Sequence, residues 1–112
     1  LIQEDLLRAI SIRQPLVELI LTGEKDIEFR SRPTNIRERV YLYASRSLTT
    51  VDGYPEAQAQ LLPRGLIVGS VEIIDCLCDE EGCGYILASP VRYLKPWRPH
   101  GVPQPCFWRP TR

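Results

Sequence analysis

Hydrophobic positions along the chain fall into short runs parted by turn-forming residues, and several of the runs alternate with polar positions. The stretch Leu6-Leu7-Arg8-Ala9-Ile10-Ser11-Ile12 is weighted to apolar residues and predicts a strand closing residues 1–12. Arg13-Gln14-Pro15 follows. Proline has no N–H to lose at the first helical position, so Pro15 is expected to open a helix. Leu16, Val17, Leu19, Ile20 and Leu21, with Glu18 as the one charge, make that helix short and largely buried, and Gly23 stops it. Residues 25–30 alternate, with Ile27 and Phe29 on one face and Asp26, Glu28 and Arg30 on the other, the period of a half-buried strand.

Residues 31–38 read as a loop bearing Pro and Arg. Residues 40–44 alternate again, Val40, Leu42 and Ala44 opposite Tyr41 and Tyr43. A turn at Asp52-Gly53 and a short helix over 55–62, closed by Pro63, come next. Residues 66–78 are the longest β candidate, with Ile67, Val71 and Ile73 on one face and Ser70, Glu72 and Ile74 on the other. A turn around 80–84 leads into a strand over 85–94. The tail from Lys95 is rich in proline and irregular, save for a short strand over 106–109. Five to six short strands with two short helices predict an α+β, mainly β fold. Its expected form is a partly closed β-barrel, because closure removes the exposed edges of a flat sheet.

Composition narrows the class. At 112 residues the chain has room for one core, so 1–112 is read as a single domain, and 44% hydrophobic with 25% charged residues is ordinary for a globular chain. No apolar run approaches the roughly 20 residues of a membrane span, and no basic start with an apolar core marks a secretory signal. The chain holds no Met, so its start reads as processed or trimmed. Cysteines at 76, 78, 83 and 106 have the spacing C-x-C-x4-C plus a distant fourth, with no C-x2-C pair. They are read as reduced, partly buried thiols of a cytoplasmic protein, with a disulfide set or a zinc site as alternatives. No metal or other cofactor is expected.

Charge changes the picture more. Fourteen basic residues balance fourteen acidic ones, and twelve of the cations are arginine, which forks onto phosphate and stacks on bases. Arg30, Arg32, Arg37, Arg39 and Arg46 cluster with Glu38 as the one acid between them. Glu72, Asp75, Asp79, Glu80 and Glu81 form an opposed acidic segment. The arginines read either as a basic rim for a polyanion or as a solvated loop beside an acidic, solubilising turn, and composition by itself favours the second. Lys25, Glu28 and Arg30 follow the helix within a few residues. They read either as a surface ion-pair set or as a cleft whose cations meet phosphate and whose Glu meets an exocyclic amine. Trp97 and Trp108 are read as caps on a barrel end rather than base-stacking platforms. His100, the lone histidine, is read as a solvated loop residue without a partner for acid–base work.

Ser11-Ile12-Arg13-Gln14-Pro15 followed by Gly23-Glu24-Lys25-Asp26-Ile27-Glu28-Phe29-Arg30 resembles the signature of the ASCH domain (activating signal cointegrator homology) of the PUA-like superfamily. The motif G-x-K-x-x-E-x-R is complete at Gly23, Lys25, Glu28 and Arg30. Residues 39–45 and 65–76 resemble the family's next strand and its long central strand, and Tyr85, Pro90, Leu94, Gly101, Phe107 and Trp108 its C-terminal part. The resemblance implies a PUA-like barrel with a cleft beside the first helix that binds single-stranded RNA or a modified nucleoside. In it Lys25 and Arg30 meet phosphate or carbonyl oxygens, Glu28 and Glu72 face base amines or hold the cations, and Gln14 and Ser11 add neutral hydrogen bonds. Some relatives hydrolyse N4-acetylcytidine with a lysine, a threonine and a glutamate. Lys25 and Glu72 stand at the matching lysine and glutamate positions, while Glu28 replaces the threonine and brings no hydroxyl nucleophile. Other relatives have been linked to ribonuclease activity, so a hydrolase using Lys25 and Glu72 is the first alternative. A protein-interaction module in transcription coactivation is the second. A monomer without membrane attachment is expected.

Overall fold

The computed structural model describes residues 7–112. The elements in order are β1 (Ala9–Gln14), α1 (Leu16–Thr22), β2 (Ile27–Arg30), β3 (Arg39–Leu48), α2 (Glu56–Ala59), β4 (Leu66–Asp79), β5 (Gly82–Trp97) and β6 (Phe107–Trp108). The strands form one sheet in the order β2-β5-β4-β3-β1-β6, curled into a half-barrel. Every pairing is antiparallel except β1 with β3. The expected partly closed, mainly β architecture with two short helices is therefore what the chain adopts. No helix among the described residues is long and apolar enough to cross a membrane.

One face of the sheet holds the aliphatic core. Ile10, Ile12, Val40, Leu42, Val71 and Ile73 project from the strands onto Val17 and Ile20 of α1. Each such side chain, fully buried, contributes about 1.5–3 kcal/mol. Val17 and Ile20 are three residues apart, which puts both on one face of a helix. Gly23 ends α1 at φ 84°, a left-handed conformation that glycine adopts without a Cβ penalty, and its N–H closes on the Ile20 carbonyl. A forked pair from Arg92 to Glu18, both contacts 2.8 Å, ties the helix to β5. The other face is buried as well: Ala9, Tyr41, Tyr43, Ile67 and Trp108 make a second, aromatic cluster. Trp97 and Trp108 stand edge-on to Tyr41 and Tyr43, ring centres 5.4 and 5.2 Å apart, and pack with this cluster.

Several boundaries differ from expectation. The opening of the first strand at Leu6 lies outside the described residues. Pro15 precedes α1 rather than heading it and follows a cis Gln14–Pro15 bond. The second helix is four residues, not eight, because Gln60–Leu62 turn away into the loop before Pro63. β3 runs on to Leu48, β5 on to Trp97, and the turn between β4 and β5 contracts to Glu80 and Glu81. Asp79 holds that turn by accepting from the Glu81 N–H at 2.8 Å. Ile67 does not share a cluster with Val71 and Ile73, because a register shift between Ile67 and Gly69 breaks the alternation and sends Ile67 to the aromatic cluster.

β2 is the sharpest departure from hydrophobic patterning. Its apolar Phe29 is 70% exposed and its Glu28 is 5% exposed, so the polar face is turned inward. The cysteines differ too: Cys78 and Cys83, opposite each other across the β4–β5 ladder, are joined as a disulfide, while Cys76 and Cys106 are free. A turn centred on Glu80 and Glu81 puts Cys78 opposite Cys83. Finally, the arginine-rich and acidic segments lie side by side, since β3 pairs with β4. Arg39 reaches Glu72 at 3.7 Å and Arg37 reaches Asp75 at 4.0 Å, so part of the segmental charge cancels across the ladder.

Candidate ligand-binding cleft

A cleft of about 630 Å³ opens between β1, the start of α1, β2, the far half of β3 and the segment 103–105. Ser11, Glu28 and Arg30 are at its floor. Arg30, at the end of β2, donates from Nε to Glu28 Oε2 at 2.8 Å, from Nη2 to the Ser11 carbonyl at 2.7 Å and from Nη1 to the Pro105 carbonyl at 3.2 Å. These three bonds use three of the five N–H groups of a guanidinium. Glu28 presents its other oxygen to Lys25 Nζ at 3.7 Å, so one buried carboxylate lies between two cations. Lys25 also sits 5.1 Å over the ring of Phe29, which gives that exposed phenyl a cationic cover. An inward carboxylate is tolerable here because both its oxygens face cations.

Ser11 is committed at each of its polar groups. Its N–H donates to the Cys106 carbonyl at 3.0 Å, its carbonyl accepts from Arg30, and its Oγ accepts from the Trp108 indole at 2.9 Å. The tail thereby becomes a wall of the cleft, with Pro103, Gln104 and Pro105 facing inward.

The rim is different in kind. β1 pairs with β3 as Ile12 with Ala44 and then Gln14 with Leu48, so Arg13 alone faces the three residues Ser45, Arg46 and Ser47. A bulge of this sort re-aims side chains and breaks ladder pairing. Arg13 and Arg46 are both exposed and both line the cleft, together with Ser45, Ser47 and Thr49. Neither guanidinium has a carboxylate within ion-pair distance among the described residues. Sequence patterning did not single out Arg13 at all and placed Arg46 only in the wider arginine cluster. The alternation of Ser45 and Ser47 beyond Ala44 was the available signal that β3 continues past it.

The remaining residues considered from the sequence are placed elsewhere. Gln14 is fully buried, with Nε2 donating to the Pro63 carbonyl at 3.1 Å and Oε1 accepting from the Glu18 N–H at 3.0 Å. It satisfies a free N–H of the first helical turn and anchors the loop before β4, and it does not line the cleft. Glu72 is half-exposed against Arg39, which also donates to Ser70 Oγ and the Ser89 carbonyl, both at 2.9 Å. It too is absent from the cleft lining. Lys25 touches the floor only through Glu28. His100 is exposed and pairs by its backbone with Thr111.

Tyr85 lies on β5 opposite Glu28, its hydroxyl donating to the Arg32 carbonyl at 2.8 Å and its ring stacked on Phe107. Burial pushes its phenol above the ordinary value of 10.0, with the Cys106 thiol adding to the rise. Beside the cleft, and sharing Thr49 with it, a smaller pocket of about 260 Å³ is lined by Pro15, Leu48, Tyr54 and Glu56.

No curated protein matches the chain closely enough to report. The family model of the ASCH domain matches residues 10–100, from β1 through β5, and the chain belongs to the ASCH-domain family.

Proposed function

We propose that this domain binds single-stranded RNA, with backbone phosphates on Arg13 and Arg46 and a nucleoside over the Glu28–Arg30 floor. Membership of the ASCH family supports an RNA-binding or related role in general terms. The observation that carries the finer reading is the bulge that sets Arg13 against Ser45, Arg46 and Ser47, leaving two guanidinium groups without a carboxylate partner among the described residues on one cleft of a chain with zero net charge. Paired guanidinium and hydroxyl donors suit phosphate oxygens. The cleft volume is that of small-ligand sites, on the order of 300–1,000 Å³. The adjoining pocket, with Tyr54 and the Glu56 carboxylate at its edge, offers a neighbouring base an aromatic ring and an acceptor. Lys25 and Glu72 engage Glu28 and Arg39 respectively and neither lines the cleft, so no observation favours a hydrolase built on that pair.

Fluorescence anisotropy of a short labelled single-stranded RNA, titrated at salt between about 50 and 200 mM, tests the proposal. Two phosphate contacts predict a slope of log K against log salt of about −1.4, at about −0.7 per contact. The reading fails if the RNA does not bind, or if it binds equally well to the Arg13→Ala/Arg46→Ala double variant.

A further inference from the structure

The β4–β5 hairpin gathers three of the four cysteines, and a disulfide explains two of them. Cys76 and Cys78 are two residues apart on β4, which puts both side chains on one face of the strand. Cys83 faces them from β5, bonded to Cys78. The Cys76 sulfur lies 3.8 Å from that of Cys78, and all three sulfurs lie within 4.8 Å of one another. Thiolates bind zinc at about 2.3 Å in tetrahedral geometry, which sets two sulfurs on one ion about 3.8 Å apart. Cys76 and Cys78 already stand at that spacing. Opening the disulfide would let the Cys83 sulfur move out to the same separation. The surroundings favour a cation, with Asp75, Asp79, Glu80 and Glu81 on the same hairpin and Arg37 in an ion pair with Asp75.

We propose that Cys76, Cys78 and Cys83 form a Zn²⁺ site in the reduced protein, with water in the fourth position, and that the Cys78–Cys83 disulfide is its oxidised, metal-releasing form. Interconversion needs a dithiol. Its two thiols break the Cys78–Cys83 bond, supply two electrons and two protons to the cysteines, and close into the dithiol's own disulfide. Zn²⁺ then displaces three thiol protons to solvent and is held by three thiolates. Two thiols would suffice for a structural disulfide, and a third on the same strand face within contact distance is what a metal site requires. Cys83 is also the register partner of Arg30 across β2 and β5, so the site adjoins the strand that forms the cleft floor.

The full chain, reduced with a phosphine under anaerobic conditions, is titrated with Co²⁺ and followed by thiolate-to-cobalt charge transfer and the tetrahedral d–d bands. Zn²⁺ is then added to displace the cobalt. The expected result is saturation at one ion per chain, loss of the bands on adding Zn²⁺, and no bands before reduction. Cys76→Ser retains both cysteines of the disulfide, so its oxidised form is expected to melt like the wild type while its reduced form loses the cobalt bands. Cys106→Ser, outside the cluster, is expected to leave them intact. Absence of a charge-transfer band in the reduced wild type overturns the proposal, as does a band that survives Cys76→Ser or disappears with Cys106→Ser.

Discussion

Arg30 on the floor of the cleft donates to a carboxylate and two carbonyls, whereas Arg13 and Arg46 on its rim have no carboxylate partner among the described residues. One residue type serves two ends within one pocket. The floor guanidinium ties β1, β2 and the tail together and is largely buried, so its charge is spent inside the protein. The rim guanidinium groups stand on a bulge in solvent, where holding an unpaired cation costs little and leaves it available to an anion. A motif that names Arg30 therefore points first to what builds the cleft. The residues with free donors for a ligand lie on either side of the motif in the chain.

This contrast is broken most severely at Glu28. Glu28→Ala leaves Arg30 and Lys25 without their counter-charge, and the expected loss is about 3 kcal/mol in urea unfolding, the range for one partner of a buried pair. Wild-type stability in that variant would mean the floor is not a structural tie. Gln14→Ala comes next, at about 2 kcal/mol by the same measurement, because the Pro63 carbonyl and the Glu18 N–H both lose their partner. At the rim the pattern is expected to reverse. Arg13→Ala and Arg46→Ala should each change stability by less than about 0.5 kcal/mol, while each lowers the magnitude of the RNA salt slope by about 0.7.

The smallest effect concerns Tyr85, beneath the floor. Its phenol is held above 10.0 in the folded chain, so below about pH 10 both folded and unfolded states keep the proton and stability is unaffected. Above that pH the unfolded chain releases its proton first, and stability falls as pH rises towards the folded value. Tyr85→Phe should flatten this alkaline decline in urea midpoints measured across pH 9 to 11, and an unchanged decline would assign it to other groups.

How much of this could be read from the residues varies by element. Pro15 and Gly23 bracket α1 almost to the residue, because both act through local backbone chemistry. β2 was legible as a strand but not in its orientation. Alternation tells which side chains share a face, and here the inward face is the charged one, stabilised by partners from β1 and the tail that lie far off in sequence. The pairing of Arg13 with Arg46 was not legible for a related reason, since the bulge that makes them neighbours is a property of the β1–β3 pairing rather than of either strand. The family resemblance assigns Glu72 to the site while the sheet register sets it against Arg39, and the register decides its partner. The opposed charged segments looked like a dipole because adjacency in the sheet is not written in the linear order.

The tail deserves a different kind of conclusion. The stretch shared with the family ends at residue 100, yet Pro105, Cys106 and Trp108 supply the carbonyls and the indole that fasten Ser11 and Arg30. A chimera carrying residues 10–100 alone would keep five of the six strands and their core while leaving Ser11 and Arg30 with unmet hydrogen bonds and one side of the pocket open. Transplanting the shared stretch would thus move the strands and the rim arginines without the wall that closes the cleft, and the useful unit for engineering runs at least to Trp108.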